Sequence, residues 1–106
     1  MIIEKKLYIG EMTKHEAVWA LRRLKKNKLC PGFVVITLPL ADNCMLEIYD
    51  VSEFKQKYYA DRYDDIHIIG IAHTKRGAMR LTRDIVQDIH EKTGGFDVTN
   101  YFMQGV

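Results

Sequence analysis

Apolar residues recur along the chain with two periods, and each change of period marks a boundary between elements. Residues 7–10 (LYIG) alternate as a strand does. Thr13-Lys14-His15-Glu16 then has the form of a capping box, with Met12 placed as the staple residue, and predicts a helix over 13–28. Its apolar stripe is Ala17, Ala20, Leu21 and Leu24. Lys25, Lys26 and Lys28 suit the negative end of its dipole, and Pro31-Gly32 bars continuation. Residues 33–38 (FVVITL) and 44–51 (CMLEIYDV) read as a hairpin joined through Ala41-Asp42-Asn43, and 52–60 (SEFKQKYYA) as a short helix. Residues 66–72 (IHIIGIA) are apolar at both parities, as a central strand covered on two faces would be. A long helix is predicted over 74–93, capped by Thr74, with Ala78, Leu81, Ile85 and Ile89 as its core stripe and Gly94-Gly95 as a left-handed stop. Asp97 starts a last short helical turn.

The order β-α-β-β-(short α)-β-α predicts a single domain over residues 1–106 of the α+β class. The expected architecture is a four-stranded sheet with the two main helices on one face, a split βαβ or ferredoxin-like variant. Strict alternation would then put His67, Ile69, Ile71 and His73 on the other face with Met45, Glu47 and Tyr49. That face would need the short helix, the C-terminal segment or a second subunit to cover it, so a homodimer is expected.

Composition narrows the class further. At 106 residues, 47% of them apolar and 28% charged, the chain can bury a core without disulfide or metal. No apolar run reaches the length of a membrane span and the N-terminus lacks the apolar core of a secretory signal, so a cytoplasmic location away from membranes is expected. Cys30 and Cys44 form no CxxC pair, which argues against a zinc ribbon or a thioredoxin-type motif, and no cofactor or metal is expected. The net charge of +2 says little, but residues 14–28 carry six Lys or Arg against one Glu and residues 42–65 seven acids against three bases.

That basic helix supplies the first candidate surface. At 100° per residue Trp19 falls opposite the core stripe, with His15 one turn before it, Arg22 and Arg23 one turn after and Lys26 two turns after. An aromatic ringed by cations can stack on a base while its neighbours hold phosphates. The competing expectation is that Trp19 packs under the C-terminal tail or at a dimer contact. Arg76, Arg80 and Arg83 share the outer face of the long helix, with Arg80 and Asp84 spaced to pair. If both helices lie on one side of the sheet, the two outer faces adjoin as one basic surface for an anionic partner, nucleic acid first and an acidic protein next.

The strand-to-helix turn supplies the second. Thr74, Lys75, Arg76 and Gly77 combine an N-cap with two cations where acids are usual, which suits an anion. No GxGxxG or GxxxxGK[ST] accompanies them, and Asp50 and Glu53, expected at the same end of the sheet, would neutralise the cations without a ligand. A small enzyme built on His73 with Cys44 or Asp42 is the alternative reading. A His67–His73 metal pair is excluded, since six residues along a strand separate the rings by roughly 20 Å. The pattern as a whole predicts a self-associating, non-enzymatic interaction module with a basic helix face.

Overall fold

Thr13 and Thr74 cap the two main helices. Thr13 Oγ1 accepts the amide of Glu16 at 3.1 Å and Thr74 Oγ1 that of Gly77 at 2.9 Å, so each satisfies an orphan donor of the first turn. The computed structural model describes residues 1–26, 28, 32–39, 46–55 and 61–103. Its elements are β1 (Ile2–Ile9), α1 (Lys14–Lys25), β2 (Val34–Thr37), β3 (Glu47–Asp50), β4 (His67–Ala72), α2 (Lys75–Thr93) and α3 (Val98–Met103). Short 3-10 segments, Val51–Lys55 and Tyr63–Asp65, stand between β3 and β4. Cys30, Pro31, Cys44, Met45, the expected hairpin turn at Ala41-Asp42-Asn43 and the second half of the expected 52–60 helix lie outside the described residues.

α1 stops at Lys25, short of the expected 28, and the Lys28 amide folds back onto the Arg23 carbonyl at 2.8 Å. α2 ends as predicted: Gly94 takes a left-handed φ of 76° and its amide reaches the His90 carbonyl at 2.8 Å. Asp97 caps α3 through the Asn100 amide at 3.1 Å.

The four strands lie in the order β1-β4-β2-β3, with β1 parallel to β4 and β2 antiparallel to both β3 and β4. The α+β class and the four-stranded sheet are as expected, but the ferredoxin-like arrangement is not. β3 and β4 run parallel with β2 between them, joined among the described residues through the two 3-10 segments. β1 and β2 are antiparallel across β4, so α1 is not a crossover between parallel strands.

The two helices also do not share a face. Ala17, Ala20, Leu21 and Leu24 of α1 join a cluster with Val35, Ile68 and Ile71, together with Phe54 from the first 3-10 segment. Ala78, Leu81, Ile85 and Ile89 of α2 join another with Val34, Ile36, Ile69 and Ala72, closed by Val98 and Phe102 of α3. Val34 and Ile36 alternate with Val35 along one strand, so the clusters lie on opposite faces of the sheet. Each helical stripe says which residues are buried and leaves open which face buries them. With both faces covered by the chain's own helices, the bare face that motivated self-association is not there.

A polar clamp ties α2 to the edge strand. The Tyr8 hydroxyl donates to Asp88 at 2.5 Å, and Lys92 Nζ lies 3.1 Å from the same oxygen. Burial first, and then this carboxylate, push the Tyr8 hydroxyl well above the usual tyrosine range. Among the described residues, no helix is long and apolar enough to cross a membrane.

Candidate functional site

Two concave surfaces carry the charged residues singled out in the sequence. The first is a groove of about 430 Å³ along α1, lined by His15, Val18, Trp19, Arg22, Arg23, Lys26 and Lys28. Among the described residues, no carboxylate lines it. Helical periodicity therefore gathers the five predicted residues, His15, Trp19, Arg22, Arg23 and Lys26, as expected. Trp19 is 53% exposed, and the Arg23 guanidinium sits 5.2 Å from its ring centroid. The indole packs against Phe33, with centroids 6.1 Å apart and planes tilted by 43°. Val98 and Phe102 of α3 pack in the α2 layer, on the face of the sheet opposite α1.

Arg76, Arg80 and Arg83 stand apart from this groove, since α2 occupies the other face of the sheet. The single basic surface expected across both helices is thus divided. Arg76 and Arg80 face a second concavity, a cleft of about 540 Å³ at the carboxyl ends of β1 and β4, whose other walls include Ile9, Gly10, Glu11, His73, Thr74, Gly77, Leu81 and Asp84. The expected Arg80–Asp84 pair is not closed: among the described residues, neither Arg76 nor Arg80 has a carboxylate within 4.0 Å.

The cations of the strand-to-helix turn separate. Asp50 is held below the usual carboxylate range first by the amide of Ser52 at 3.0 Å, next by its hydroxyl at 2.9 Å, and in smaller part by the charge of Lys75. Lys75 therefore answers to the β3 end of the sheet, as the parallel run of β3 and β4 predicts. Glu53 instead accepts the Asp50 amide at 2.8 Å. Arg76 lines the cleft.

His73 joins the two regions. Its ring lies 5.1 Å from Phe33, Nε2 is 2.9 Å from Glu16 Oε2 and Nδ1 is 3.2 Å from the Gly32 carbonyl. Both partners are acceptors, so the two approaches are hydrogen bonds together only when both ring nitrogens carry protons. Glu16 thereby serves twice, once accepting from the Thr13 hydroxyl at the start of α1 and once as the partner of His73. Sequence reasoning missed Glu16 and Glu11, whose roles depend on strand neighbours far away in the chain. The one local sign was Gly10, directly after a strand and before a capped helix. Cys44 and Asp42, the expected partners of His73, lie outside the described residues. His67 is not near His73 in role: it is buried and pairs with Glu4 at 2.9 Å. Among the described residues, no group of three or more His, Cys, Asp or Glu is placed to hold a metal ion.

The chain matches no known family model, and comparison with curated proteins and with solved structures gives no match.

Proposed function

We propose that this chain is a non-enzymatic binding module that takes a single-stranded nucleic acid along the outer face of α1. The observation that carries the reading is Trp19: a half-exposed indole in a groove whose charged lining is cationic throughout. A half-exposed planar ring suits a base, and stacking on it is sequence-tolerant because every base has a flat face. Arg22, Arg23 and Lys26 stand one and two turns along the same stripe, where successive phosphates of the strand would lie. An acidic protein surface would also meet the cations, but it would leave the indole without a matching plane.

The test uses the single tryptophan. Oligonucleotides, single- and double-stranded, are titrated while Trp19 emission is followed at several salt concentrations. Saturable quenching by single strands that weakens steeply with salt is the expected result. Emission unchanged for every oligonucleotide at every salt concentration overturns the reading, and capture of an acidic protein through the same residues would replace it.

A further inference from the structure

β1 and β4 are neighbouring parallel strands, and the chain leaving them turns to opposite sides of the sheet. After β1 it enters α1 in one layer; after β4 it enters α2 in the other. Divergent connections open a crevice at the carboxyl ends of such a pair, which is where open α/β sheets take ligands. The 540 Å³ cleft lies there, and its size is within the ordinary range for small-molecule sites. The β1 turn is held tightly against β4: a Cβ added at Gly10 would stand 3.1 Å from Ala72 Cβ, and the Gly10 amide donates to the Ile71 carbonyl at 2.9 Å.

The lining is specific in its chemistry. Ile9 and Leu81 give an apolar wall, Arg76 and Arg80 project one turn apart from α2, and Glu11 and Asp84 bring two carboxylates to the same opening. Among the described residues, none of these four charged side chains makes a hydrogen bond or ion pair. Arg80 and Asp84, four apart on one helix, could close on each other and do not. Charges of both signs are thus held around one opening. A bare anion would gain from the arginines and be opposed by the carboxylates, whereas a ligand with hydroxyl groups beside its anion would use all four.

We infer that this cleft binds a small phosphorylated, hydroxyl-bearing ligand of nucleoside-monophosphate size. The guanidinium groups of Arg76 and Arg80 grip the phosphate, Glu11 and Asp84 accept hydrogen bonds from hydroxyls, and the apolar part lies on Ile9 and Leu81. The site shares no lining residue with the α1 groove and does not rest on the nucleic-acid reading.

The experiment is a titration of the full ¹⁵N-labelled chain with adenosine 5′-monophosphate and, separately, with inorganic phosphate. The nucleotide is expected to move the Gly10 and Gly77 amide signals saturably, and to bind about tenfold tighter than phosphate alone. Joint replacement Arg76→Gln and Arg80→Gln is expected to weaken it about tenfold or more. Should that double variant fail to fold, Glu11→Ala with Asp84→Ala serves instead and is expected to erase the preference for the nucleotide over phosphate. Gly10 and Gly77 signals unmoved up to about 10 mM nucleotide, where even a very weak site fills, overturn the inference. So does nucleotide affinity that the variants leave intact. A shift confined to the Trp19 indole also overturns it, while supporting the separate reading of the α1 groove.

Discussion

Ile69 and Ile71 stand two residues apart on β4 and face opposite layers of the molecule. Ile69 belongs to the cluster under α2 and Ile71 to the cluster under α1. In a regular strand such residues share a face. Here Thr37 pairs with Ile68 and Ile36 with Gly70, so Ile69 is an extra residue in β4, a bulge that resets the alternation. Beyond it, Ile71 and then His73 fall on the α1 side, which brings His73 to Glu16 and Phe33.

Gly70 makes that bulge compatible with a packed core. A Cβ there would stand 3.1 Å from Ile36 Cδ1 and 3.4 Å from Leu81 Cδ2, both in the α2 layer. The branched side chain of Gly70→Val would have to displace both neighbours and is expected to cost about 2 kcal/mol of stability. Urea unfolding checks this. A midpoint equal to that of the wild type would show that the layer has room the packing denies.

Much of the fold was legible because it is local. Thr13, Thr74 and Gly94 sit where capping chemistry requires them, and both helical stripes are buried as their spacing predicts. The pairing of β1 with β4 was not legible, since it joins residues far apart in the chain and leaves no mark on either segment. The bulge at Ile69 was hidden for a related reason: apolar residues at both parities fit a strand with or without a slip. At the candidate sites, the grouping around Trp19 followed from one helix alone and was readable. Its separation from Arg76, Arg80 and Arg83, and the cleft with Glu11, follow from topology and were not.

The Tyr8–Asp88 clamp gives stability a defined dependence on pH. The Tyr8 hydroxyl, and after it Lys92, hold the Asp88 carboxyl below the usual carboxylate range. A carboxylate depressed in the folded state contributes stability that is present above its unfolded pKa and is lost as pH falls through the folded one. The wild type is therefore expected to lose stability on acidification below about pH 4. Tyr8→Phe removes the hydrogen bond, is expected to cost about 1 kcal/mol at neutral pH, and shrinks the acid loss. Chemical denaturation on both sides of that range measures it. An acid loss of undiminished size in Tyr8→Phe would show that this bond does not carry the effect.

On the α1 face, the charges and the ring make separable contributions. Arg22→Glu with Lys26→Glu is expected to lower the slope of log affinity against log salt by about two, roughly one for each phosphate that is no longer neutralised. Trp19→Ala should leave that slope unchanged and weaken binding by about 1–3 kcal/mol through the missing stack. Anisotropy of a labelled oligonucleotide reads both variants, since it does not need the indole. Equal changes of slope in the two variants would count against a stacked base.

His73→Ala tests whether this residue serves the architecture of the sheet end or chemistry within it. The ring bridges Glu16 of α1, the Gly32 carbonyl and Phe33, on which Trp19 rests. Its removal is expected to cost about 1 kcal/mol, which for a domain of this size lowers the melting temperature by about 4 °C. Trp19 emission should shift as well, because Phe33 loses the ring that backs it. Binding of single strands, measured well below the melting temperature, should persist, since His73 lines the cleft and not the α1 groove. An unchanged melting temperature would mean that the bridge contributes nothing to the fold, and the case for His73 as a reactive group in the cleft would then revive.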